Sequence, residues 1–303
     1  MAMLDETASG VFTISVTPFL PDGALDLESL DRVTDFYLER GATGLTVLGI
    51  MGEAGKLTAE ESLAVVRRVT ARTDVPVVVG VSAPGFAAMQ ALASGAMDAG
   101  AAGVMVAPPG HLRSDAQIEG YYRDVAGVLG DAPFVLQDFP LVTGVTIPAP
   151  VILRIVEACP TLVMLKHEDW PGLEKISALR AGGGRRIAIL CGNGGQFLPE
   201  EMARGADGAM TGFAYPEMMA GVVAAARAGE MDRARDLFDC YLPLVRMEAQ
   251  PGLGLAVRKH VLARRGAIAH AAQRRPGTAL SAAGVAEVEA LIARQERRIA
   301  ALG

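Results

Sequence analysis

The feature that most limits the possible folds is a repeat of short apolar runs, each followed by a Gly- or Pro-containing turn and a longer segment with helical periodicity. We identify eight such runs, all short enough to be strands. Because they are almost continuously apolar, both faces of the predicted sheet should be covered, as in a parallel sheet flanked by helices. The predicted strands cover residues 10–16, 44–48, 75–81, 103–107, 134–138, 162–166, 187–191 and 208–211.

Helical segments separate these runs, and some carry a recognisable cap. Thr58 with Glu61 three residues later forms a capping-box pattern, in which the two side chains satisfy backbone donors of the first turn. Three further helices, at 231–247, 252–264 and 281–301, follow the eighth unit. The helices predicted between the strands cover residues 26–40, 58–73, 86–99, 114–129, 149–158, 172–180, 197–204 and 216–228.

Eight strand-helix units in unbroken alternation favour a closed barrel over an open doubly wound sheet. The first turn, at Thr17-Pro18-Phe19, also lacks the Gly-rich sequence that nucleotide-binding open sheets carry there. The predicted fold class is therefore α/β, a (β/α)8 TIM barrel with an appended C-terminal helical region. We expect the barrel to occupy residues 1–229 and the C-terminal helices, at 230–303, to pack on it as one structural unit.

Composition excludes several classes of protein. Apolar residues form 51% of the 303-residue chain and charged residues 20%, enough apolar residues for a large core. The net charge of −6 is spread along the chain without a basic tract, so we expect no nucleic-acid partner. No run approaches the ~20 apolar residues that cross a bilayer, and the first ten residues do not resemble a signal peptide, so we expect no membrane partner and a cytoplasmic location. The three widely spaced cysteines indicate neither disulfides nor a zinc site.

The chemistry of such a barrel is expected where the loops after the strands converge. Among the residues that the strand assignment places there, Lys166 is the single lysine. It continues the apolar residues 162–165, so we expect its ammonium to be partly desolvated, which favours the neutral amine that forms Schiff bases. A lysine that marks the exit of the strand into solvent is the alternative, and position alone does not decide between them.

Two motifs, one after the second predicted strand and one at the end of the sixth, are more specific in combination than either is alone. The sequence Gly-Ile-Met-Gly-Glu at 49–53 follows the second run, and Lys166 ends the sixth about 110 residues later. Gly192 and the Gly-Ala-Met-Thr-Gly segment at 208–212 add to the pattern. Over nearly its whole length the chain resembles the dihydrodipicolinate synthase and N-acetylneuraminate lyase superfamily of class I Schiff-base aldolases and dehydratases.

The resemblance implies that Lys166 forms a Schiff base with the ketone of a small 2-oxo acid, that the 49–53 loop holds the substrate carboxylate, and that no cofactor is needed. It also implies a homo-oligomer, commonly a tetramer. Gln137 and Asp138 stand where the family has its proton-relaying tyrosine and the next residue, and we expect both to be catalytic. We expect substrate contacts from Gly49, Ile50, Met51, Gly52, Glu53, His167, Gly192, Asn193, Met210 and Thr211.

Three departures from the family shape the expected function. The family's Tyr-Asn-x-Pro after strand five is Gln137-Asp138-Phe139-Pro140, and a carboxamide does not titrate near neutral pH as a general acid or base must. Asp138, Glu53 or His167 is then expected to move protons. The hydroxyl-bearing pair of the 49–53 loop is Ile50-Met51, and Val142 replaces an arginine that pairs with a distal carboxylate. These losses argue against dihydrodipicolinate synthase itself.

The Gln-Asp-x-Pro variant, with residues 208–212 and Leu242-Pro243-Leu244, is similar to the branch that contains 2-keto-3-deoxy-L-arabonate dehydratase. Gly52 and Gly110 depart from that branch, where we expect Ser and Tyr. We favour a dehydratase of a 2-keto-3-deoxy sugar acid over a pyruvate-dependent retro-aldolase. Dihydrodipicolinate synthase and a non-catalytic 2-oxo acid sensor are kept as further alternatives. The consecutive residues His167-Glu168-Asp169 rarely converge on one ion, so no metal is expected.

Overall fold

Eight parallel strands close into a barrel in the computed structural model, which describes residues 3–302. They pair in chain order, and β8 closes the barrel by pairing with β1, with Phe12 opposite Met210. This architecture confirms the predicted (β/α)8 fold. The strands are β1 (Gly10–Ile14), β2 (Gly44–Val47), β3 (Val77–Gly80), β4 (Gly103–Val106), β5 (Phe134–Asp138), β6 (Leu162–His167), β7 (Ala188–Cys191) and β8 (Gly208–Thr211).

Helices alternate with the strands and surround the barrel. The capping box predicted at Thr58 and Glu61 is present, and Ser114 with Gln117 forms a second one. The helices are α1 (Leu27–Glu39), α2 (Ala59–Thr70), α3 (Phe86–Asp98), α4 (Asp115–Leu129), α5 (Pro140–Thr143), α6 (Ala149–Ala158), α7 (Leu173–Ala181), α8 (Leu198–Ala203), α9 (Pro216–Arg227), α10 (Met231–Glu248), α11 (Gly254–Arg264) and α12 (Ala282–Leu302).

The observed bounds differ from the predicted ones by a few residues at the ends of strands and helices. β6 continues one residue beyond Lys166, to His167, and the Glu168 amide still donates to the Asp138 carbonyl, so the alternation of side chains continues past the strand end. Short 3-10 turns at Ile50–Gly52, Ala54–Lys56 and Asn193–Gly195 fold the loops after β2 and β7, and α5 folds the loop after β5. Apolar periodicity does not predict turns this short.

Apolar side chains fill two separate layers. The barrel interior is packed by residues such as Phe12, Met105, Met164 and Met210, whereas a larger cluster lies between the strands and the helices. Since successive side chains of a strand point to opposite faces, each strand supplies both layers, which explains its continuous apolarity. Met164 points inward on β6, so Lys166 does too.

The appended region confirms the expected extra helices: α10 packs on α9, and both α11 and α12 pack on α10. Met1, Ala2 and Gly303, which the predicted domain ranges include, lie outside the described residues. Within residues 3–302, no helix has the length and apolar content that crossing a bilayer requires.

Candidate active site

The carboxyl ends of the strands open into a cavity of about 1000 Å³. Residues from α10, α11 and the segment before α12 complete its wall, so the C-terminal region is part of the site. Of the residues expected from the sequence to be catalytic or to bind substrate, six line this cavity: Ile50, Met51, Gln137, Lys166, Asn193 and Thr211.

Lys166 lies at the buried base of the cavity beside a carboxylate. Lys166 is 5% exposed, and its Nζ is 2.9 Å from Glu168 Oε2. Two residues apart, the two side chains leave the strand on the same face. Gln137 stands opposite Lys166 in the parallel β5–β6 register, and its Nε2 donates to the same Glu168 oxygen at 2.7 Å. The result is a buried cluster of one amine, one carboxylate and one carboxamide.

Backbone and side-chain groups after β7 fix Glu168. The Asn193 amide N–H donates to Glu168 Oε1 at 3.3 Å, and Asn193 Nδ2 donates to the Glu168 carbonyl at 2.9 Å. Asn193 is itself held in a turn in which the Gly194 amide donates to Thr211 Oγ1 at 2.8 Å. Each carboxylate oxygen of Glu168 thus has a donor, so the group is oriented before any ligand binds.

Gly192 leaves the space that Glu168 occupies. A Cβ built on Gly192 would overlap the Glu168 side chain. The glycine is therefore needed for room beside that carboxylate.

Replacing Gly192 by alanine should displace the Glu168 carboxylate and lower kcat by roughly 10²-fold, as expected for small misplacements of catalytic groups. Gly120→Ala, in α4, is the matched control because a Cβ there meets no atom within 4 Å. Steady-state kinetics and circular dichroism of both variants check this. Full activity in Gly192→Ala would show that the observed Glu168 position is not required.

Asp138 and His167 lie on the other face of the sheet. Both follow inward-facing residues by one position, so their side chains point to the layer between the strands and α7. Asp138 Oδ2 accepts from Lys175 Nζ at 2.8 Å and is 3.9 Å from His167 Nδ1. Neither side chain lines the cavity, so this placement does not support the expectation that Asp138 or His167 exchanges protons with substrate, and that expectation stays a prediction.

Burial sets the ionisation of these two groups. Desolvation raises the pKa of Asp138 to about 6, opposed by the Lys175 ammonium. Desolvation lowers the pKa of His167 to about 4, and Lys175 adds to this effect. His167 is therefore a neutral imidazole at neutral pH, packed between a strand and a helix.

Glu53, the third residue expected to exchange protons, is engaged by the C-terminal region. Its Oε1 is 2.5 Å from Lys259 Nζ on α11, a side chain with no solvent exposure. Its Oε2 accepts from Lys56 Nζ at 2.8 Å and from the Arg274 amide at 3.1 Å. Glu53 does not line the cavity, and its contacts join the 49–53 loop to the C-terminal segment.

Removing the buried ammonium in Lys259→Met should lower the free energy of unfolding by about 3–5 kcal/mol, because the Glu53 charge is left buried with fewer partners. Lys56→Met, which removes the more exposed partner of the same carboxylate, should cost less than about 1 kcal/mol. Urea unfolding of the two variants measures both values. Equal stability losses would contradict the assigned role of the Lys259 contact.

The remaining residues expected from the motifs lie beside or beneath the cavity. Gly49 and Gly52 shape the turn after β2, where the Gly52 amide donates to the Gly49 carbonyl and the Gly52 carbonyl accepts from Thr17 Oγ1. Met210 is buried in the barrel interior below the cavity. Neither these three residues nor Gly192 line it.

Sequence reasoning missed the contributions of Glu168 and the C-terminal helices. The predicted strand ended at Lys166 and left Glu168 outside it, whereas period-two alternation through 164, 166 and 168 places Glu168 on the inward face. Glu248 and Arg258 form an ion pair at 2.9 Å. The Arg258 guanidinium also donates to the Gly212 carbonyl, just after β8. No local sequence pattern predicts contacts between residues so far apart in the chain.

Among residues 3–302, no three His, Cys, Asp or Glu side chains are grouped so as to hold a metal ion.

Comparisons with known proteins agree over nearly the whole chain. The model of the dihydrodipicolinate synthetase family matches residues 7–295. L-2-keto-3-deoxyarabonate dehydratase from Azospirillum brasilense is 30% identical over 274 residues, 88% of each chain. 4-Hydroxy-tetrahydrodipicolinate synthase from Sorangium cellulosum is 34% identical over 233 residues, 75% of this chain and 76% of that protein. A crystal structure of dihydrodipicolinate synthase from Rhodopseudomonas palustris, 53% identical, superposes with a TM-score of 0.96 over 97% of this chain and 100% of that one.

Proposed function

This chain belongs to the dihydrodipicolinate synthetase family, and from that premise we propose that it is a Schiff-base-forming dehydratase of a 2-keto-3-deoxy sugar acid. The family match confirms the resemblance expected from the motifs. Members of the family are lyases of the class I type. The observation that carries the narrower proposal is the carboxylate of Glu168, 2.9 Å from the Lys166 amine.

The first step joins Lys166 to the substrate. The neutral amine attacks the C2 ketone, the carbinolamine loses water, and a C2 iminium forms. Glu168 Oε2 is in contact with Nζ and takes up the proton that the amine sheds. The Gln137 carboxamide, which donates to the same oxygen, keeps that carboxylate in place as the proton moves.

The position of Glu168 favours dehydration over carbon-carbon cleavage. After iminium formation, C3 is two bonds from Nζ, so a carboxylate in contact with Nζ is close to the C3 protons. Removing a C3 proton gives an enamine, which expels the C4 hydroxyl as water when that oxygen is protonated. Retro-aldol cleavage instead needs a base at the C4 hydroxyl, farther from the lysine. Hydrolysis of the imine then frees Lys166 and the dehydrated acid.

The loop after β2 is proposed to hold the substrate's C1 carboxylate through backbone donors. Its two side chains, Ile50 and Met51, are apolar and line the cavity, so they offer no hydroxyl. The Gly52 and Glu53 amides already bond to the carbonyls of Gly49 and Ile50. The amides of Ile50 and Met51 are the first two of the turn and have no acceptor within it.

A synthase is the second candidate, because relatives and a solved structure that resemble this chain bear that name. A condensation assay with pyruvate and aspartate semialdehyde tests it. Dehydration is tested by chromatography of 2-keto-3-deoxy sugar acids incubated with the enzyme: the proposal expects a product that has lost water, and no pyruvate. Release of pyruvate would identify an aldolase, and binding without turnover a sensor.

Two expectations from the sequence accompany this proposal. A homotetramer is what the family resemblance implies, and a cytoplasmic location remains expected. Both stay predictions, and light scattering of the purified protein measures the first.

A further inference from the structure

One positive charge in the cavity has no carboxylate partner among residues 3–302. We propose that this charge, the guanidinium of Arg246, binds a second carboxylate at the far end of the substrate. The inference rests on the proposed function and narrows its substrates to 2-oxo acids that carry two acidic groups.

The cationic side chains that line the cavity differ in whether they have a carboxylate partner. Four cationic side chains line the cavity, and three of them lie within 3 Å of a carboxylate. Within residues 3–302, the Arg246 guanidinium forms no ion pair and no hydrogen bond, so it is the one surplus charge of the cavity wall. The paired cations are Lys56 with Glu53 at 2.8 Å, Lys166 with Glu168 at 2.9 Å and Arg258 with Glu248 at 2.9 Å.

The depths of the two functional groups fit a substrate that spans the cavity. Lys166 is buried at the base, whereas Arg246, in the last turn of α10, is exposed while lining the same cavity. A substrate joined to Lys166 through C2 extends from the base toward the opening. Its last carbon therefore approaches the part of the wall to which Arg246 belongs.

Arg246 offers a replacement for the arginine that the sequence lacks after strand five. Val142 stands where relatives carry an arginine after strand five, and it lines the cavity as an exposed apolar side chain. The C-terminal region supplies a guanidinium to the same cavity from α10, about 100 residues later in the chain. A planar guanidinium forms paired hydrogen bonds with a carboxylate. A substrate that ends in a hydroxyl group carries no charge there to neutralise the guanidinium.

The competing explanation is a purely structural one. A cation in the last turn of a helix interacts favourably with the helix dipole and needs no ligand to do so. That role predicts an effect on thermal stability and none on the choice of ligand, so the two explanations differ in what a substitution changes.

The test compares 2-oxo acids of equal length that differ in the last group, 2-oxoglutarate against 2-oxopentanoate and 2-oxoadipate against 2-oxohexanoate. Borohydride traps each acid on Lys166, and the concentration for half-maximal trapping is measured by mass spectrometry. We expect the native protein to favour the diacid of each pair. Arg246→Gln should raise the half-maximal concentration of the diacids about tenfold and leave that of the monoacids within about twofold. Arg67→Gln, on the exposed surface of α2, is the charge-matched control.

Two results overturn the inference. If Arg246→Gln weakens trapping of mono- and diacids equally, the guanidinium holds the C1 carboxylate and not a distal one. If Arg246→Gln lowers the melting temperature but leaves every half-maximal concentration unchanged, Arg246 stabilises α10 and does not bind the ligand. Failure of the native protein to trap even pyruvate is a separate outcome, since it would reject the proposed function itself and this inference with it.

Discussion

The Glu168→Gln variant is expected to dehydrate its substrate roughly 10²–10⁴-fold more slowly than the native enzyme, the usual contribution of a general acid-base group. Glutamine keeps the shape of the side chain and still accepts a hydrogen bond from Lys166, but it does not take up a proton. The loss should fall on kcat. Borohydride should still trap a pyruvate adduct, more slowly than in the native enzyme, because the Lys166 amine remains but has lost the group that takes up its proton.

Asp138→Asn is the rival variant for this prediction. The sequence pattern placed Asp138 beside the family's proton relay, whereas its carboxylate faces Lys175 between the strands and α7. Its activity should stay within a few-fold of native once its stability is accounted for. If Asp138→Asn loses activity as deeply as predicted for Glu168→Gln, and Glu168→Gln does not, the proton-transfer assignment is reversed.

The second large effect is expected at Lys166. Arginine in its place retains the positive charge beside Glu168 but forms no Schiff base, so turnover should fall by at least about 10³-fold, as it does when a nucleophile is removed. Lys175→Arg is the matched control, because Lys175 is also paired with carboxylates, Asp138 at 2.8 Å and Asp169 at 2.5 Å, but does not line the cavity. Measurable dehydration by Lys166→Arg above the uncatalysed rate would point to chemistry without an imine.

The repeat of apolar runs was sufficient to predict the barrel because each run packs on both faces, and that requirement is written locally in the chain. The position of Lys166 was predictable for the same reason. A charged residue that continues an apolar strand stands where the interior of the barrel meets solvent. Its neighbour Gln137 followed from the corresponding end of the strand before it.

Glu168 was not predicted because the alternation of side chains was followed only as far as the predicted strand end at Lys166. Direction alternates along an extended chain, so the residue two positions beyond Lys166 faces the same side. β6 ends at His167, but the Glu168 amide still donates to the Asp138 carbonyl of β5, and the proposed proton transfer therefore falls to Glu168 instead of Asp138 or His167. Strand ends are set by hydrogen bonds to neighbouring strands, which a single run of sequence does not display.

The C-terminal contribution was beyond local patterns for a different reason. The Lys259 ammonium reaches Glu53 across 206 positions of the chain, and Arg246 shares a cavity with a lysine 80 positions earlier. Packing of α10 and α11 on the barrel creates these contacts. Helical periodicity predicted that the helices exist, but not which of their polar residues face the loops after the strands.

The central claim is that the Lys166 amine captures a 2-oxo acid, and reduction with borohydride in the presence of pyruvate tests it most directly. The chain has only four lysines, Lys56, Lys166, Lys175 and Lys259, so peptide mass spectrometry assigns an adduct without ambiguity. We expect a reduced pyruvate adduct on Lys166, dependent on borohydride and lost in Lys166→Arg. No adduct, or one on another lysine, would contradict the account.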